Sequence, residues 1–155
     1  MAVKTLTQLK TTKNFHDVLD SVVTKKGSDR VVALTAATTL TEDDSGKIFT
    51  LDSAGGAYDI NLPTVANGAG CVFKFLVLEN TPSNDITIKS NAANIFGNLL
   101  IQSDTDEDNR VAAAGVTNVL VDTTALKGDS VIIIGTGTMY VVQGFGQVQG
   151  AFTTS

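Results

Sequence analysis

Few residues in this chain could do chemistry, and their spacing argues against it. His16 is the single histidine among 155 residues. An acid/base catalyst needs an orienting partner and a pocket. No Ser or Cys motif lies near His16, and the pattern around it puts it on the polar side of a short helix. Gly135-Thr136-Gly137-Thr138 resembles part of a phosphate loop, but it lacks the G-x-G-x-x-G spacing and the following helix, so it reads as a hairpin turn. Asp104, Asp106 and Asp108 alternate like the start of a calcium loop. Counted from Asp104, the sixth and twelfth positions hold Asn109 and Gly115 where that loop needs Gly and Glu, so 104–109 reads as a solvated acidic tip, with a calcium site at a loop or subunit interface as the alternative. Paired carboxylates for glycoside hydrolysis can sit in any β-sandwich, yet no pair is marked here. With no Trp and only Tyr58 and Tyr140, little is offered for a sugar to stack on. The lone Cys71 excludes an internal disulfide and reads as a small buried hydrophobe. The expectation is a non-enzyme with no cofactor and no metal.

From Asp29 onward the chain reads as strands and turns alone. Residues 40–70 carry the clearest pattern: a turn at Asp44-Ser45-Gly46, an alternating strand over 47–52, a reversal at Ala54-Gly55-Gly56, and a strand over 58–62 stopped by Pro63. This block is expected to be a β-hairpin. Further strands are expected at 30–34, 38–41, 72–79, 85–90, 98–103, 116–121, 130–134 and 139–143, the last two joined by the Gly-Thr turn. Strands at this spacing, with Gly- and Asn-rich turns and no second helix, imply an all-β, jelly-roll-like β-sandwich over residues 28–155.

Residues 1–27 differ in kind. Val3, Leu6 and Leu9 recur at three-residue spacing, and Phe15, Val18, Leu19 and Val22 fall on one helical face. Asn14 suits the N-cap and Lys25-Lys26-Gly27 the C-terminus. A helix of about ten residues is marginal alone, so this N-terminal arm needs a surface to pack on. Its five lysines outweigh Asp17 and Asp20 for a net +3, whereas the other six cations face fourteen carboxylates for a net −8. An acidic body argues against nucleic acid as the main partner. The basic leader either meets an acidic protein surface or is a solvated arm. No apolar run approaches the ~18 residues of a membrane span, and no secretory signal is apparent at the N-terminus, so a soluble protein with no membrane partner is expected.

Two blocks carry a family resemblance. Leu40, Thr41, residues 44–47, Phe49, Gly55, Gly56, Leu62 and Pro63, followed by Gly128, Asp129, Gly137 and Gly144, resemble the pattern of tailed-bacteriophage capsid decoration (cement) proteins. The likeness runs from residue 40 to 153 and leaves out the arm. The closing hairpin departs from the pattern in having Met139 before Tyr140, where a Trp would be common. The resemblance implies a virion protein made in the host cytoplasm that sits on the capsid exterior, often as a homotrimer, and stabilises the shell by bridging neighbouring major capsid protein subunits. The arm residues Val3, Leu6, Leu9, Phe15, Val18, Leu19 and Val22 are then the expected contact with the capsid or a neighbouring protomer. Similar blocks suit phage head-fibre and tail-fibre modules, so a domain binding a host-surface glycan is the alternative.

Overall fold

β-branched and aromatic residues recur at alternate positions through the body, and a strand sends alternate side chains to opposite faces. Among the described residues twelve strands result: β1 (Val31–Leu34), β2 (Thr38–Thr39), β3 (Ile48–Leu51), β4 (Tyr58–Asn61), β5 (Val72–Val77), β6 (Ile86–Lys89), β7 (Ile95–Ile101), β8 (Arg110–Val116), β9 (Asn118–Val121), β10 (Ser130–Gly135), β11 (Tyr140–Gly146) and β12 (Phe152–Thr154). The computed structural model describes residues 30–78, 82–102 and 110–155. The expected arm with its helix, the acidic tip at 104–109 and His16 all lie outside the described residues. Residues Val32–Ser155 form one compact unit.

The strands make two sheets, as expected of an all-β sandwich. One has seven strands in the order β1-β3-β5-β10-β11-β7-β8, the other five in the order β12-β9-β6-β4-β2. Both are mixed. β3 runs parallel to β5 and β11 parallel to β7, while β4 runs parallel to both β2 and β6. The core lies between the sheets. Phe49, Phe73, Phe75, Ile133 and Val142 of the larger sheet and Ile60, Ile86, Ile88, Val119 and Phe152 of the smaller are all buried in it. The rings of Phe49 and Phe75 stack with centroids 5.5 Å apart.

The block at 40–70 is not a hairpin. β3 and β4 belong to different sheets, so the chain between them crosses the sandwich instead of reversing along one edge. The crossing is held from both sides. The Asp52 N–H donates to the Leu34 carbonyl at 3.0 Å. Buried Ser53 accepts at its hydroxyl from the Asn84 N–H (3.0 Å) and at its carbonyl from the Asn84 side chain (2.9 Å). Glycines at 55 and 56 serve a turn, as expected, but the turn joins layers. The closing hairpin is as expected: β10 and β11 pair antiparallel, with Gly135 opposite Tyr140. Thr136 closes it, its hydroxyl accepting from the Met139 N–H and donating to the Met139 carbonyl. Two strands escaped the pattern reading. β8 is built from small residues, and β12 is only three residues long.

Both tyrosines act as latches. Tyr58 Oη donates to the Leu34 carbonyl at 2.7 Å, joining the five-stranded sheet to the seven-stranded one. Tyr140 is fully buried and donates to the Pro63 carbonyl at 2.8 Å. Gly68 makes room for it, since a Cβ there would overlap the phenol oxygen. Buried Asp129 ties the start of β10 to the segment after β11, accepting from the Leu126 N–H and from both the N–H and the side-chain amide of Gln147. At the Asp44 turn, burial pulls the carboxyl up. Hydrogen bonds from Lys47 and from the Thr41 N–H and hydroxyl outweigh it and hold Asp44 below its ordinary value.

The most constrained glycine is Gly97 in β7, at φ +143°, where an added Cβ would overlap the Val142 carbonyl of β11. Gly97→Ala is therefore expected to lower unfolding free energy by roughly 2–5 kcal/mol, combining backbone strain with a clash at a parallel strand pair; denaturant titration measures it. Burial pushes the Tyr140 phenol up to about 12, with a smaller contribution from Cys71, whereas in the unfolded chain it titrates near 10. The stability held by keeping Tyr140 protonated is complete below pH ~10 and lost as pH rises through ~12. Tyr140→Phe should cost about 1–2 kcal/mol at pH 8 through the lost buried hydrogen bond. It should also lose less stability than the wild type between pH 10 and 12. Titrations at both pH values read the difference.

Candidate interaction surface

Because side chains alternate, packing one face of a sheet on the core hands the opposite parity to the outside. The outward side of the five-stranded sheet is what a solvated face requires. Asp59, Asn61, Thr87, Lys89 and Asn118 stand on it, and Lys89 Nζ reaches Asp59 Oδ2 at 2.6 Å across the parallel β4–β6 pair.

The seven-stranded sheet differs. Pairing registers align its outward residues into rows across the strands. One row runs Val72, Ile134, Val141, Phe96, Ala114. Another runs Leu76, Ser130, Phe145, Leu100, Arg110. Between them lies Lys74, Ile132, Gln143, Asn98, Ala112. Leu100 is 56% exposed, Phe145 48% and Phe96 41%. Isolated exposed apolar residues are ordinary, but contiguous ones on a regular surface mark a contact site. A shallow groove of about 670 Å³ follows β10, β11 and β7 here, lined by Leu100, Ile132, Val141, Gln143 and Phe145 among others. The backbone at Gly97 and Gly144 also lines it.

None of the outward positions of these seven strands is a carboxylate, although the chain has sixteen acidic residues. Lys74 and Arg110 are the charged residues of the face. Gln143 and Asn98 stand opposite one another in the β11–β7 register, and their amides have no side-chain partner among the described residues.

Val3, Leu6, Leu9, Phe15, Val18, Leu19 and Val22, the expected capsid or protomer contact, are outside the described residues. Cys71 is buried one residue before β5, its thiol 3.9 Å from the Asn67 carbonyl. No group of three His, Cys, Asp or Glu residues that could hold a metal occurs among the described residues. A second cavity of about 570 Å³ beside the five-stranded sheet includes Asp59 and Asp85 in its lining, with Asp59 already paired to Lys89. Both tyrosine rings are buried, so neither presents a face to a sugar.

The apolar face had a signal in the sequence. Ile132-Ile133-Ile134, Leu99-Leu100, Val141-Val142 and Phe75-Leu76 place apolar residues at both parities of their strands. Such runs suit a strand buried on both faces, and equally one with an apolar face awaiting a partner. Comparison of the chain with protein-family models, curated proteins and solved structures found no match.

Which side of the sheet a residue faces can be measured directly. Leu99→Ala, inside, should cost about 2–5 kcal/mol. Leu100→Lys, its immediate neighbour on the outward face, should change stability by no more than about 0.5 kcal/mol. Thermal unfolding of the two variants at low protein concentration tests the assignment.

Proposed function

We propose that the protein is a structural virion component of a tailed bacteriophage, which binds the outer surface of the capsid and stabilises it by bridging major capsid protein subunits. The observation that carries an assembly role is the contiguous apolar face of the seven-stranded sheet, on a body whose buried polar groups are used internally. Asp129, Ser53, Thr136 and both tyrosine hydroxyls all hold chain segments together. The resemblance carried by residues 40–63 and 128–144 directs that role to a capsid. It also fits the fold, because a disulfide-free sandwich with a core spanning both sheets makes a durable knob.

In this reading the basic arm makes the capsid contact, through Phe15, Val18, Leu19 and Val22 with Val3, Leu6 and Leu9 before them. Several arms on one oligomer would bind with avidity even where each contact is weak. A host-glycan module is less well supported, since the tyrosines are buried and the cavity beside the five-stranded sheet has its Asp59 neutralised.

Full-length protein added to shells of the companion major capsid protein should co-sediment with them and raise their melting temperature, because a ligand of the assembled state stabilises that state. Val18→Asp with Leu19→Asp should weaken co-sedimentation at least tenfold. Failure of the wild-type chain to sediment would overturn the capsid reading, and undiminished binding of the variant would remove the arm from it.

A further inference from the structure

We infer that the outward face of the seven-stranded sheet is where this chain associates with a second copy of itself, face against face. Two observations select that occupant, and a third sets the strength of the association. The first is charge. The chain carries a net −5, so two copies repel over most of their surfaces, and the outward positions of these seven strands form an extended face without a carboxylate. A second copy can approach there without setting acid against acid.

The second observation is hydrogen-bonding chemistry. Gln143 and Asn98 sit side by side between two apolar rows, and each amide is both donor and acceptor. Such a pair is complementary to itself. Brought opposite the same pair by a two-fold axis, it can satisfy all four amides and so set the register of two otherwise apolar faces. A partner of unlike chemistry would have to supply a matching set. The third observation is size. Five strands at ~4.8 Å carry the rows, and with five residues along each they span roughly 19 by 17 Å, about 330 Å² per copy. Two copies would therefore cover on the order of 650 Å², which is in the range of weak contacts. Association should accordingly be reversible and dependent on concentration. The edge of the sheet is a poorer candidate, because the Thr154 hydroxyl already occupies the Ala112 carbonyl of edge strand β8.

This association stands without the capsid, so its test needs none. Light scattering and sedimentation velocity on the full chain, from about 1 to 500 µM, should show the 16.1 kDa monomer giving way to a defined multiple as concentration rises. Phe145→Glu with Leu100→Glu places carboxylates on both sides of the contact. It should move the midpoint of association at least tenfold higher and leave the circular dichroism spectrum unchanged. Gln143→Glu alone, which breaks the amide pairing without touching an apolar residue, should act in the same direction. Thr87→Glu, on the polar outer face of the other sheet, should leave the midpoint where it is. A wild-type chain that stays monomeric throughout overturns the inference. So does association that survives in folded Phe145→Glu/Leu100→Glu protein, or that Thr87→Glu weakens equally.

Discussion

The apolar layer between the two sheets is what every other feature depends on. With a single buried cysteine there is no internal cross-link, and sheet-to-sheet burial of Phe49, Phe73, Phe75, Ile133 and Val142 against Ile60, Ile86, Ile88, Val119 and Phe152 has to oppose the chain entropy. Polar groups that enter this layer do so with partners. Tyr58 and Tyr140 bring their rings into the core and direct their hydroxyls to backbone carbonyls, so the two latches add direction to a force that has none. No buried side-chain polar atom among the described residues lacks a hydrogen bond.

That layer also governs the outside. A strand has a period of two, so choosing which parity meets the core chooses which parity meets the surroundings. In β4, β6 and β9 the second parity is mainly polar, and water is an adequate neighbour. In β5, β10, β11 and β7 it is mostly apolar, and water is a poor one. The asymmetry between two sheets sharing one core is the main physical reason to regard the protein as a part of something larger.

The route of the chain shows how non-local pairing sets the architecture. Residues 47–62 have the local marks of a hairpin, two alternating strands around Gly55-Gly56, and in isolation they would be free to pair. In the folded protein β3 gains β5 as a parallel neighbour and β4 gains β6, while Ser53 and Asn84 hold the crossing between layers. Pairing with partners more distant in sequence places each strand in a sheet whose inner face packs on the other sheet, which a lone hairpin could not do. By contrast β10 and β11 do form the hairpin their sequence suggests, because both have the same core to face.

Much was legible in the sequence. Alternation at 58–61 and 86–89, the turns at Asp44-Ser45-Gly46 and Gly135 to Thr138, the buried character of Cys71 and the all-β class all follow from residue type and period, which are local properties. β8 was not legible, because Arg110-Val111-Ala112-Ala113-Ala114-Gly115-Val116 lacks bulky β-formers and owes its strand to pairing with β7. The interaction surface was half legible: apolar residues at both parities could be seen, but not whether the second parity was covered. Only the tertiary structure decided that. Strand order and register are fixed by contacts between residues far apart in the chain, and those contacts brought Leu100, Phe145, Ile132 and Val141 together on a face left open.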